Sequence, residues 1–281
     1  MVRARAAWLI WGLVLPTLLL AACGGGDDTD AAAAIGEPTR PFADVTPPFA
    51  GDKPPIADDA SPAAGGERAG KEKRGPSALE LGDRGNPLVQ VRRDRRVDLY
   101  DRPGGKVIAT VGDETEFGSP TAFAVQREHD GWAAVPTAHF ENGRLAWLRL
   151  DPRRLRAFTV FYEVEIDLSE YRTTVLRRDK VLRSFRVSIG MPEAPTPTGQ
   201  FAVTDTFRGG LNSGYGCCAV ALTARQTRLP PGWLGGDRIA IHGTSGALGA
   251  RVSHGCVRAA DADVSDLVNR LPPGTPVTIR Q

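Results

Sequence analysis

Lysine, histidine and cysteine are scarce in this 281-residue chain, and strong net charge is missing. Five lysines stand against 30 arginines, an imbalance read as coding bias rather than function. A formal net charge of only +2 sets up no field for a strongly acidic partner. No long basic run with interleaved aromatics occurs, so nucleic acid is set aside as a ligand. The chain also lacks an unbroken apolar run of the roughly 20 residues that a spanning helix needs. Its longest apolar stretch, Ala6 to Ala22, is shorter and is interrupted by Pro16.

That stretch follows Arg3 and Arg5, so residues 1–22 are expected to be a signal peptide. Its ending, Leu20-Ala21-Ala22-Cys23, resembles the bacterial lipobox, in which small residues fit a peptidase and the cysteine is lipidated. The alternative is an ordinary secretory signal with an incidental cysteine. Several acyl chains on Cys23 would hold the protein firmly to a membrane, since each buried methylene contributes about 0.8 kcal/mol. Residues 23–84 then read as a tether: "GGGDDTDAAAA", "PFADVTPPFAGDKPP" and "SPAAGGERAGKEKRG" are rich in Gly, Pro, Ala and charge. Such a segment cannot bury enough surface to offset its ordering entropy.

Ordered structure is expected from residue 85. Short period-2 runs at Val89/Val91 and Val97/Leu99, then Val107 to Val111, Ala122 to Gln126, Trp132 to Val135 and "GRLAWLRL", are separated by turn signals such as Pro103-Gly104-Gly105. They predict a small β-barrel over 85–152 that resembles a bacterial SH3-like module. Trp132 and Trp147 are expected to fill its core rather than line a groove. His129 and His139 read as surface or turn residues. A second unit, 157–281, begins with the alternating run "FTVFYEVEIDLS", read as one half-buried strand. A hairpin is expected to turn at Arg178-Asp179-Lys180. Near the C-terminus, Asp261 is expected to N-cap a helix with Val264, Leu267, Val268 and Leu271 on one face, ended by Pro272-Pro273-Gly274 and followed by a closing strand, "TPVTIR". The fold class is mainly β, with one helix after Cys256.

With Cys23 assigned to lipid, three cysteines remain, which leaves one unpaired. Cys217 and Cys218 are adjacent. A vicinal disulfide is one state for them; two small buried thiols is the expected one. Cys256 sits in "VSHGCVR", and three readings of it compete. A buried structural thiol is the default, but Ser253, His254, Gly255 and Arg258 are poor core lining. A zinc site wants four ligands, or three and an open position. His242, His254 and Cys256 are available, at a spacing that matches no standard zinc pattern. A nucleophile explains more: imidazolium nearby would depress the thiol pKa, Gly255 would leave room for an acyl group, and backbone N–H groups around Gly255 and Cys256 could face an oxyanion.

"TPTG" at Thr196–Gly199, "IHGT" at Ile241–Thr244, "SHGCVR" at Ser253–Arg258 and "GTPVTI" at Gly274–Ile279, in that order, resemble the L,D-transpeptidase catalytic domain, the YkuD family. The resemblance covers about 157–281. It implies a β-sandwich or barrel that cross-links peptidoglycan stem peptides through a cysteine acyl-enzyme. By that resemblance Cys256 is the nucleophile and His242 the base or ion-pair partner, oriented by the Gly243 carbonyl. Ser253, His254 and Gly255 belong to the oxyanion and orienting region, and Arg258 steadies the site or engages a substrate carboxylate. No metal or organic cofactor is implied. The expected partners are a donor tetrapeptide, an acceptor amine and, through Cys23, a bacterial membrane. The expected place is outside that membrane facing the cell wall, as a monomer. Two departures from the family pattern stand out. Only ten residues separate His242 from Ser253, shorter than in many members, and "VRAAD" lacks the larger apolar residue often found after the arginine. The implied outcome is a 3→3 cross-link with release of D-alanine. Alternatives are an L,D-carboxypeptidase using the same thioester, or an inactive wall-binding lipoprotein.

Overall fold

Seventeen strands, one α-helix and a single 3-10 turn (Ser213–Tyr215) are the regular elements of the described part of the chain. The computed structural model describes residues 85–231 and 236–281. The expected signal peptide, Cys23 and the tether all lie outside the described residues.

The first eight strands are β1 (Asn86–Val91), β2 (Val97–Tyr100), β3 (Val107–Val111), β4 (Ala122–Ala124), β5 (Arg127–His129), β6 (Trp132–Pro136), β7 (Leu145–Arg149) and β8 (Leu155–Val160). They form a three-stranded sheet, β4-β1-β8, and a five-stranded sheet, β3-β2-β7-β6-β5. The core between them is aliphatic, with Val89, Val91, Val97, Leu99, Val135, Leu148 and Leu155 at its centre. The two tryptophans expected in that core lie half-buried on the other face. Strand alternation is the reason: Ala133 and Val135 of β6, with Ala146 and Leu148 of β7, take the inward positions. Trp132 and Trp147 therefore point away. Trp132 meets Tyr100 edge-on at 5.2 Å, and the Arg127 guanidinium lies 6.0 Å from the Trp147 ring.

The run expected as one strand from 158 to 169 is two strands that break at Phe161. Its first half, in β8, pairs along its length with β1. Its second half, β9 (Tyr162–Asp167), opens the other assembly. Period-2 hydrophobicity continues through the break and hides it, because both strands bury alternate residues. The remaining strands are β10 (Arg172–Arg177), β11 (Lys180–Gly190), β12 (Gly199–Phe207), β13 (Ala219–Arg225), β14 (Arg238–Thr244), β15 (Arg251–Ser253), β16 (Val257–Ala260) and β17 (Pro276–Arg280), with α1 (Asp261–Arg270) between the last two. Their sheet runs β10-β9-β17-β12-β13-β14-β16-β11-β15, and β10 also pairs with β11, so the order closes on itself with β15 outside the ring. The long β11 makes closure possible by pairing with β10 through its first half and with β16 through its second. The β10–β11 turn carries Arg178 and Asp179 at φ 51° and 62°, the left-handed pair that a two-residue hairpin matching strand twist requires.

Inside the ring, Val164 and Ile166 of β9 meet Val277 and Ile279 of β17 in register. Helix α1 lays Val264, Leu267 and Val268 on the same core, each worth about 1.5–3 kcal/mol of burial. Its first helical residue is Asp261. The N-cap is Ala260, which supplies no side-chain cap, contrary to the capping role expected of Asp261. The Asp261 carboxylate turns instead to the Cys217 N–H, at 3.2 Å. Asp261 and Asp263 still favour the helix by placing negative charge in its first turn. Both β assemblies belong to one compact unit of the chain.

Candidate active site

Strands β14 and β16 run parallel, with Ile241 opposite Val257 and His242 opposite Arg258. Alternation sends Ile239, Ile241, Val257 and Ala259 into the barrel core. It sends Ala240, His242 and Arg258 to the other face, together with Cys256, which immediately precedes β16. Neighbouring β13 contributes Ala219 and Ala221 to that face, and β12 contributes Phe207. Three alanines in a row leave a shallow floor, and Tyr215, Leu211 and Cys256 pack around it.

His242 is 3% exposed. Its Nδ1 lies 2.9 Å from the Gly243 carbonyl oxygen. A carbonyl only accepts, so Nδ1 carries the hydrogen of the neutral ring and Nε2 carries the lone pair. Gly243 is held from behind: a Cβ there would sit 2.1 Å from Asp261 Oδ1 and 3.0 Å from the Cys217 nitrogen. Gly216 packs as closely, since its Cβ would lie 2.4 Å from the Gly243 carbonyl carbon. This glycine-on-glycine contact lets the Tyr215 ring meet the imidazole edge-on, with centroids 4.9 Å apart. Burial drives the His242 pKa down to about 4; the Gly243 contact opposes the change and the Arg258 charge adds to it. Burial also pushes up the Tyr215 phenol, with the Cys256 charge in the same direction.

Cys256 is half-buried, and its sulfur lies 4.0 Å from the Arg238 carbonyl oxygen. Burial pushes its thiol pKa up, opposed by the Ala240 backbone N–H and by the Arg258 charge. Desolvation thus works against charge on both groups, the thiolate and the imidazolium alike.

The turn bearing Cys256 is fixed from three sides. Ser253, 1% exposed, donates its hydroxyl to the Cys256 carbonyl at 2.5 Å and accepts the Gly255 N–H at 3.1 Å. Thr196 of the "TPTG" segment donates to the Gly255 carbonyl at 2.8 Å. Gln226, buried, donates through Nε2 to the carbonyls of His254 at 3.0 Å and Pro195 at 3.1 Å. Gly255 has φ 114°, and a Cβ on it would lie 2.3 Å from Gln226 Nε2 and 2.9 Å from Ile239 Cδ1. Glycine is thus required here by backbone conformation and by the glutamine clamp. Its N–H is taken up by Ser253, so this donor does not face the cleft. The His254 side chain is exposed, and its carbonyl takes part in the clamp. Arg258 stands beside His242, and its buried Nε makes no hydrogen bond.

Cys217 and Cys218 are joined in a disulfide, which corrects the two free thiols expected. Among the described residues Cys256 is the free cysteine. No group of three His, Cys, Asp or Glu side chains that could hold a metal comes together among the described residues. Sequence reasoning missed Tyr215, Gln226 and Arg238 and gave Thr196 no role. A threonine inside "TPTG" was the one available signal. The others have contacts that no local pattern reveals.

The arrangement brings together a thiol, a buried imidazole, the Arg258 guanidinium and a tightly held turn, chemistry suited to acyl transfer. Residues 162–279 match the family model described as YkuD, the L,D-transpeptidase catalytic domain. The chain is 28% identical over 128 residues to the YkuD protein of Bacillus subtilis strain 168, covering 44% of this chain and 69% of that one. It is 24% identical over 123 residues to the YkuD protein of Bacillus licheniformis, covering 43% and 67%. Among solved structures, an L,D-transpeptidase from Mycobacterium smegmatis is similar at 16% identity and a TM-score of 0.37, over 56% of this chain and 80% of that one. L,D-transpeptidase 3 from Mycobacterium tuberculosis is similar at 20% identity and a TM-score of 0.37, over 49% and 74%. From Tyr162 to Ile279 the chain is similar to the L,D-transpeptidase catalytic domains of the YkuD family.

Proposed function

We propose that the chain is a peptidoglycan L,D-transpeptidase that works through a Cys256 thioester. The observation that carries the reading is the buried His242, whose Nδ1 meets the Gly243 carbonyl and so leaves the lone pair on Nε2, on the same sheet face as the free Cys256 thiol. In the first step His242 Nε2 takes the thiol proton as sulfur bonds to the carbonyl carbon between the third stem residue and the terminal D-alanine. The tetrahedral oxyanion is met by the Cys256 backbone N–H region, which Ser253, Thr196 and Gln226 hold in place. Collapse breaks the carbon–nitrogen bond, and D-alanine leaves with the proton from His242. In the second step the side-chain amine of another stem attacks the thioester, His242 takes its proton, and the thiol is released. The product is a 3→3 cross-link. Arg258 receives a substrate carboxylate, consistent with a cation whose Nε makes no hydrogen bond within the protein.

A lipidated Cys23 and the 23–84 tether would hold this domain outside the membrane, within reach of the cell wall. The N-terminal β unit is, in this reading, SH3-like. Incubation of the full chain, in detergent, with disaccharide-tetrapeptide and mass spectrometry of the products tests the reaction. Cross-linked dimer supports transfer to an amine; tripeptide alone means that water is the acceptor; unchanged substrate overturns the proposal.

A further inference from the structure

The segment 113–121, between β3 and β4 of the N-terminal unit, reaches the candidate active site. Phe117 packs on the cluster of Phe207, Ala219, Ala221 and Ala240 that also receives Cys256, Tyr215 and Leu211. It meets Phe207 edge-on, with ring centroids 5.4 Å apart. The segment is built to hold that position. The Thr115 N–H donates to the Ser119 carbonyl at 2.8 Å, and the Gly118 N–H to the Thr115 carbonyl at 3.0 Å. Thr115 Oγ1 accepts from the Phe117 N–H at 3.2 Å and the Ser119 N–H at 3.1 Å.

Two side-chain contacts fasten the segment to the second assembly. The Thr115 hydroxyl donates to Asp205 Oδ1, a carboxylate only 1% exposed. Glu116 accepts from Arg238 Nη1 at 3.1 Å. Arg238 in turn donates to the Leu222 carbonyl at 3.0 Å and to the Thr204 hydroxyl at 2.8 Å. It is also the residue whose own carbonyl lies 4.0 Å from the Cys256 sulfur.

We infer that Phe117 is a substrate-contacting wall of the acyl-transfer cleft, supplied by the N-terminal β unit, and that it selects peptides with short aliphatic groups beside the scissile carbonyl. The inference rests on the proposed Cys256 chemistry. The wall is apolar on the side where Phe117, Phe207, Leu211 and Tyr215 gather, and cationic where Arg258 stands. A donor with methyl and methylene groups next to the reacting carbonyl and a carboxylate further along matches both ends. Glu116 and Thr115 are positioning residues that act through Arg238 and Asp205.

The test compares the full chain, Phe117→Ala and Phe117→Leu in turnover of disaccharide-tetrapeptide, together with carbapenem acylation and thermal melting. Phe117→Ala is expected to raise KM about tenfold, the scale of a lost contact in an apolar pocket, with a much smaller change in kcat; Phe117→Leu restores most of the loss. A wild-type KM in Phe117→Ala overturns the inference. So does a fall in kcat that tracks a lowered melting temperature and is not rescued by leucine, since that is a purely structural role. If the wild-type chain itself is not acylated, the Cys256 reading has failed instead, which carbapenem labelling reports separately.

Discussion

Lowering the pH interrogates the proposed base without touching the protein. His242 is held at a pKa of about 4 because burial favours its neutral form. The acid limb of kcat/KM reports the free enzyme's base, so acylation should persist well below the range of an ordinary histidine. At pH 5.5 a base titrating at about 4 is roughly 97% neutral, whereas one at the ordinary 6.5 is roughly 9% neutral, a difference of about tenfold in rate. The same shift has a stability counterpart. The folded value lies below the unfolded one, so between pH 6.5 and about 4 the unfolded chain binds the proton more readily. This stabilisation is complete above pH 6.5 and is lost as pH falls to about 4, a change of roughly 3 kcal/mol at about 1.36 kcal/mol per pKa unit. The assay is the rate of carbapenem acylation from pH 4 to 8, with melting temperature measured in parallel and His242→Gln as the control that removes the slope. Acylation half-lost near pH 6.5, with melting indifferent to His242, would refute the buried neutral base.

Three further outcomes are expected. Gly255→Ala forces an L side chain into φ 114° against Gln226; strain of about 1–3 kcal/mol should lower the melting temperature, and displacement of the turn should slow acylation on the order of a hundredfold. Alkylation of the unfolded, unreduced chain should label Cys256 and spare Cys217 and Cys218 until a reductant is added, as the disulfide requires; labelling of all three before reduction would contradict it. In cells, Cys23→Ser should move the protein out of the membrane fraction, and unchanged partition would count against lipidation.

What the sequence made legible, it made legible through short ordered patterns. "IHGT" lies on β14 and "SHGC" leads into its parallel neighbour β16, and the register of Ile241 with Val257 brings the His242 and Cys256 side chains to one face. The helix after Cys256 announced itself by apolar spacing at Val264, Leu267 and Val268. Residues whose roles depend on distant partners stayed hidden. Gln226 reaches the carbonyls of Pro195 and His254 only because β13 ends beside both turns. Glu116 finds Arg238 across 122 positions of sequence. The tryptophans misled because aromatic character suggests a core while register decides the face: Trp147 stands opposite Ala134, both pointing outward. Burial stayed hidden for a related reason: a His–Cys pair reads as an ion pair in sequence, and only the fold shows that desolvation works against charge on His242 and Cys256.

The central claim is that one thiol, Cys256, carries the acyl group. Peptide mapping of the full chain after reaction with a carbapenem tests it most directly. The account predicts a single adduct on Cys256, absent from Cys256→Ala; an adduct that survives in the alanine variant, or that maps to Cys217 or Cys218, would contradict it.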